Sequence, residues 1–258
     1  MHKTALVICT LWSLVVAADT PEARGRAIAL EVDSRDQGWA SLSADLDMRL
    51  GNAQGEESQR TLRLNALEIN GDGDQSLIVF DSPRDIAGTG LLSYTHALKP
   101  DDQWLYLPAL RRVKRIASAN KSGPFVGSEF AYEDLTSAEV EKYTYLWLRD
   151  ERLDERETLV LEERPAYELS GYTRRVVWID KAMYQPLKVE FYDRKNALLK
   201  TLTLSGYQQY LQRYWRPSKM VMQNHQTGKR TELTWANYVF RAGLTARDFD
   251  QNTLKRSR

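Results

Sequence analysis

Ser41 to Leu50 reads Ser-Leu-Ser-Ala-Asp-Leu-Asp-Met-Arg-Leu, with an apolar residue at every second place. A period of two describes a strand with one oily face and one wet face. Comparable alternation returns at Arg60 to Ala66, Leu187 to Phe191, Thr201 to Ser205 and Thr231 to Trp235. The pattern predicts a large antiparallel sheet, and the function turns on what covers its apolar face.

The chain has 258 residues, of which 42% are hydrophobic and 28% charged. That composition supports a real core and a soluble protein. Lys3 followed by the apolar stretch Ala5 to Ala17 and the small residues Val16-Ala17-Ala18 has the plan of a signal peptide cleaved before Asp19. Residues 1–18 are therefore expected to be a leader, and residues 19–258 one domain exported to the periplasm. Cys9, the only cysteine, falls in the leader, so the mature chain has no disulfide, thiol nucleophile or cysteine metal site. Lys plus Arg number 36 and Asp plus Glu 35; loss of Lys3 balances them. Such a balance argues against nucleic acid as a partner.

Thr20-Pro21-Glu22 has the order of a helix cap and first turn, and Ala27, Ile28, Leu30 and Val32 continue a helical stripe. Leu77-Ile78-Val79-Phe80 reads as a strand buried on both faces or near a crossing. A strand is expected near Arg112 to Ile116, inside the irregular stretch Pro108 to Leu135, whose length suggests a lid or plug. Further strands are expected at Tyr143 to Leu148, Thr158 to Leu161, Arg174 to Asp180 and Lys219 to Asn224. A phase change between Ala66 and Leu67 suggests a bulge or bend. Leu244 to Leu254 should form a short helix capped by Thr245 and anchored by Phe249 and Leu254.

Catalytic signals are sparse. His96 and His225 stand far apart, Ser128 has no evident base, and no G-x-S-x-G elbow occurs. Asn70, Asp72, Asp74 and Asp81 imitate part of a calcium loop, but Gln75 replaces the required glycine, so a plain turn is favoured. The acids and arginines of Arg149 to Glu163 read as a solvated hairpin tip. Arg111-Arg112-Val113-Lys114-Arg115 is the densest basic run, read as a solvated edge or as a contact for lipid phosphates or an acidic partner. No metal and no cofactor is expected.

Two readable helices are few for such a sheet, which argues for a hydrophobic cavity. The inward parity set names its lining: Leu42, Leu46, Met48, Leu50, Leu62, Leu64, Val189, Phe191, Leu202, Leu204, Met220, Met222, Leu233 and Trp235.

Five segments carry a family resemblance: Val32 to Trp39, Ser76 to Pro83, Gly88 to Leu92, Trp104 to Ile116, and Gly127 to Phe130. In their order and spacing the chain resembles the outer-membrane lipoprotein-sorting family, in its LolA-like branch. The resemblance implies an incomplete antiparallel β-barrel of about eleven strands with helices over its open side. It also implies a non-enzymatic periplasmic carrier that shields acyl chains of a lipoprotein or lipid, touches membranes transiently, and is linked with inner-membrane transporters of the resistance-nodulation-division or MMPL type. The N-terminal helix and the Pro108 to Leu135 loop are then the lid candidates. Three other readings stand beside it: an integral outer-membrane barrel, a lipid-acting enzyme on a β scaffold, and a transporter scaffold with no ligand.

Overall fold

The computed structural model describes residues 20–137 and 139–256. The expected signal peptide, residues 1–18, lies outside the described residues.

Helix α1 (Pro21–Asp36) opens the chain, with the Thr20 hydroxyl accepting from the Ala23 amide. The strands follow as β1 (Ser41–Gly51), β2 (Glu57–Leu67), β3 (Gln75–Ser82), β4 (Gly90–Tyr94), β5 (Asp102–Leu107) and β6 (Arg112–Arg115). An irregular segment with short helical turns leads to β7 (Tyr143–Leu153), β8 (Arg156–Pro165), β9 (Tyr172–Asp180), β10 (Pro186–Asp193) and β11 (Leu198–Ser205). Then come β12 (Gln208–Tyr210), β13 (Tyr214–Arg216), β14 (Lys219–Asn224), β15 (Arg230–Phe240) and helix α2 (Gln251–Arg256).

Thirteen strands form one open antiparallel sheet in the order β6-β5-β4-β3-β2-β1-β15-β14-β11-β10-β9-β8-β7. The fold is the incomplete, curved β-barrel that the resemblance implied, with thirteen strands instead of about eleven. Strand β6, basic rather than alternating, forms one edge of this sheet, and β12 and β13 pair with each other in a separate ribbon outside it.

Two local expectations are corrected. The β1–β2 register runs unbroken through Leu42↔Ala66 and Ser41↔Leu67, so no bulge occurs there. The register shifts instead between Ser43 and Asp45 against β15, and between Thr61 and Leu62 against β3. Strand β7 runs on to Leu153, because its charged end stays on the ladder opposite β8 while those side chains face water.

The alternation of β1 is visible as burial: Leu46 and Met48 are buried, while Asp45, Asp47 and Arg49 are exposed. Its inner face joins a cluster fed by nearly every strand, by Ile28 and Ala29 of α1, and by Phe125 and Phe130 of the β6–β7 segment. Strand β3 serves both sides of the sheet. Ile78 and Phe80 point into that cluster, whereas Leu77 and Val79 pack with Phe249 and Leu254 at the C-terminus. Phe249 and Leu254 are fully buried, as their expected anchoring role requires.

Candidate functional site: the inner cavity

Helix α1 packs along β7, one edge of the sheet. Gly25 permits the approach: a Cβ there would sit 2.8 Å from the Trp147 backbone nitrogen. The Arg24 guanidinium lies over the Trp147 ring, 3.8 Å from its centroid, and Arg35 stacks similarly on Tyr184. At the far end, Arg216 Nη1 donates to Asp36 at 2.6 Å.

The β6–β7 segment enters the other half of the inner face. Phe125 stacks near Phe80 at 5.5 Å and near Tyr132 at 5.8 Å. Polar contacts fasten it to the strands. Arg60 Nη1 donates to the Val126 carbonyl at 2.5 Å, Asn224 Nδ2 to Glu129 Oε2 at 2.7 Å, and Lys200 Nζ to Asp134 Oδ2 at 2.6 Å. This segment is a plug: its aromatic side chains occupy apolar surface that the strands leave uncovered.

Between α1 and the strands a cavity of about 770 Å³ remains. Its apolar wall comes from Ala29 and Val32 of α1, Tyr145 of β7, Val177 and Ile179 of β9, and Val189 of β10. Val177 and Val189 are cross-strand partners, so they form one continuous patch. The ion pair Arg175–Glu163 also lines the cavity, and Arg175 stacks on Tyr143 at 4.0 Å. Burial is the largest single influence on Arg175 and opposes its charge, but Glu163, Tyr143 and Tyr167 together raise its pKa.

The rim is acidic, with Asp33, Asp36, Glu68, Asp72, Asp74, Glu139 and Glu141 around it. Burial pushes the Asp74 carboxyl up to about 7, despite the hydrogen bond from the Ile69 amide. Burial likewise raises Asp33, Asp36 and Glu139. Asp72 goes the other way, to about 2, because His96 and the Ala97 amide both hydrogen-bond its carboxylate. Glu68 accepts from the Gly38 and Ala40 amides and so fixes the exit of α1.

Leu46, Met48, Leu62, Val189, Phe191, Leu204, Met222 and Leu233 are buried in the inner cluster. Leu50, Leu64, Leu202, Met220 and Trp235 pack against it. Val189 stands on the cavity wall itself. Leu42, at the start of β1, packs with Trp39 and Tyr214 instead, where the β12–β13 ribbon covers the strand. Sequence reasoning passed over Val177 and Ile179, because Val176-Val177-Trp178-Ile179 is an unbroken apolar run that does not show which face is inward. It also passed over the acidic rim, whose members are scattered along the chain and leave no local pattern.

The sparse polar candidates stand apart. His96 Nδ1 pairs with Asp72 at 2.7 Å, His225 Nε2 with the Thr201 hydroxyl at 2.7 Å, and the Ser128 hydroxyl donates to the Phe130 carbonyl at 3.4 Å. Asp74 accepts from the Ile69 amide of its own turn, and Asp72 accepts from the Ala97 amide beyond β4, so both carboxylates are taken up by backbone hydrogen bonds. Among the described residues no cluster of His, Asp and Glu is arranged to hold a metal, and no helix is long and apolar enough to cross a membrane.

An open antiparallel sheet curved around a helix and an inserted segment, with a cavity left beside the helix, defines the class of β half-barrels. Residues 72–256 match a family described only as an uncharacterized protein. An outer membrane lipoprotein-sorting protein domain from Vibrio parahaemolyticus is 56% identical, with a TM-score of 0.88, over 90% of this chain and 98% of that one. A DUF1329 family protein from Desulfovibrio piger is 28% identical, with a TM-score of 0.86, over 91% of this chain and 99% of that one. A LolA superfamily protein from Nitrosomonas europaea shares the fold at 20% identity and a TM-score of 0.71, over 89% of this chain and 98% of that one. No curated protein matches. The chain belongs to the outer-membrane lipoprotein-sorting family, and its fold is that of the LolA superfamily protein.

Proposed function

We propose that the protein is a non-catalytic periplasmic carrier that holds acyl chains of a lipoprotein or lipid in the inner cavity. The observation that carries this reading is the apolar wall joining α1 to β9 and β10, in a cavity of about 770 Å³. That volume falls in the range of small-molecule pockets, about 300–1,000 Å³. Each methylene taken from water into such a wall is worth about 0.8 kcal/mol, so a single chain is held firmly.

Release needs a competitor for the same apolar surface. The plug supplies one. Phe125 and Phe130 already share the inner cluster with Leu46, Met48 and Leu62, so an acyl chain extending past the cavity competes with them. A carrier of this kind would take its cargo from an inner-membrane transporter of the resistance-nodulation-division or MMPL type. A carrier also needs no reaction centre, and the dispersed positions of His96, Ser128 and His225 agree with that.

The test is binding of a fluorescent fatty-acyl probe, with native mass spectrometry of protein purified from membranes. Copurified lipid and saturable probe binding are expected. Val189→Trp, which fills the cavity wall, should weaken probe binding at least tenfold while the fold remains. Unchanged binding in this variant, or no binding by the unaltered protein, overturns the reading.

A further inference from the structure

The basic run Arg111 to Arg115 lies on the free edge of the sheet opposite α1. A helical turn, Pro108–Leu110, ends at Arg111 in the left-handed conformation (φ 49°) and thrusts Leu110 outward, 63% exposed. Arg111, Arg112 and Lys114 are exposed, with Arg112 and Lys114 on one face of β6 and Val113 turned toward the C-terminal cluster. Helix α2, packed on the Val113 side of the same edge, brings two more exposed cations, Lys255 and Arg256. A groove of about 690 Å³ joins the two elements, with Arg111 and Lys255 on its walls beside Tyr106 and Pro108.

The acids nearby are already committed. Asp81, on the groove wall, pairs with Arg63 at 2.8 Å, Asp102 pairs with Arg115, and Asp250 accepts from the Thr253 amide and is held down in pKa in part by Arg256. Among the described residues, Arg111, Arg112, Lys114 and Lys255 have no carboxylate within ion-pair distance. A basic edge strand alone has a plain explanation, since charge there discourages the addition of a foreign strand. That explanation does not reach the exposed leucine at the tip or the cations of α2, which lie off the strand. An exposed apolar tip on a sheet edge that carries cations on both of its faces is instead the arrangement that fits a lipid surface, where the leucine meets the acyl boundary and the cations meet phosphate.

We propose that this rim, formed by Leu110, Arg111, Arg112, Lys114, Lys255 and Arg256, docks the protein on a bilayer rich in anionic phospholipid headgroups. The surface is separate from the cavity and goes beyond the carrier reading. Each cation near such a membrane strengthens partition about fivefold at modest salt.

Cosedimentation with vesicles of phosphatidylglycerol and phosphatidylcholine tests it, against vesicles of phosphatidylcholine alone. The protein should prefer the anionic vesicles, and added salt should weaken the preference. The triple variant R111E/R112E/K114E and the double variant K255E/R256E should each lose more than tenfold in partition, and Leu110→Ser should lose severalfold. Acyl-probe binding measured in parallel should stay unchanged, which separates this surface from the cavity. If the triple variant fails to fold by circular dichroism, the helix-end variant and Leu110→Ser decide, since both change exposed side chains. Equal or absent binding to the two kinds of vesicle overturns the proposal. So does anionic binding that survives these substitutions, or binding to an acidic polypeptide without binding to vesicles.

Discussion

Lys200 Nζ lies 2.6 Å from Asp134 Oδ2, and both side chains are almost wholly buried, at 4% and 6% exposed. The same ammonium donates to the Glu129 carbonyl at 2.9 Å and lies 5.2 Å from the rings of Tyr172 and Phe191. One charge pair therefore ties the plug to β11. Removing one partner of a buried pair leaves the other uncompensated, at a cost of about 3–5 kcal/mol. Lys200→Met should lower stability by about that amount in urea unfolding, and the double variant Lys200→Met/Asp134→Leu should recover much of it. A double variant no better than the single one would show that the plug depends on the charges themselves.

Met222 is fully buried on β14, opposite Leu202 and Thr231. Met222→Asp places a charge where no partner waits, and should cost on the order of 4 kcal/mol or more. Leu98→Asp is the comparison, because Leu98 is 87% exposed and its change should fall within about 0.5 kcal/mol. Urea midpoints of the two variants measure the difference directly.

Asp74 gives the acidic rim a pH dependence of definite sign. Its folded pKa is raised from 3.8 to about 7. Below the lower value both states hold the proton. As pH rises from 3.8 to about 7 the unfolded state ionises first, so stability falls through that window and levels off above it. Asp74→Asn keeps the acceptor for the Ile69 amide and removes the titration. Its advantage over the unaltered protein should grow from acid to neutral pH, then stay constant. Asp72 contributes the opposite slope at lower pH: it is depressed to about 2, so its stabilisation is lost as pH drops from 3.8 toward that value. Urea unfolding at a series of pH values checks both.

Gly25→Ala sets two effects against each other. Alanine favours a helix over glycine by about 1 kcal/mol. The added Cβ, however, meets the backbone of Trp147 at 2.8 Å and of Leu146 at 3.1 Å, and backbone cannot turn aside as a flexible side chain does. Overpacking of this sort costs about 1–3 kcal/mol, so the clash should win. The expected result is lower stability with faster hydrogen exchange along α1. A gain in stability would mean that α1 does not sit this close to β7.

Alternation made much of the sheet legible, because a half-buried strand writes its two faces into every second residue. Leu77-Ile78-Val79-Phe80 was legible for the opposite reason: an unbroken apolar run needs cover on both sides, and Phe249 with Leu254 provides the second. Thr20 and Pro21 announced the helix start through cap chemistry. The β6–β7 segment was readable as a long irregular stretch, but its insertion under the sheet depends on tertiary partners such as Thr231, whose hydroxyl accepts from the Glu129 amide. The acidic rim was beyond local reading for the same reason. Asp33, the β2–β3 loop with Glu68 and Asp74, and Glu139 come from three separate stretches and meet only after the sheet has curved.

The first strand of the sheet is hydrogen-bonded to the last, with Leu46 opposite Trp235 and Met48 opposite Leu233. This pairing is the seam at the middle of the order, joining β6 through β1 to β7 through β15. Neither half can be zipped to the other until the ribosome has supplied Thr231 to Phe240. Contacts so distant in sequence form slowly. A nascent chain of this design stays unsealed, and hence threadable, until β15 has been made.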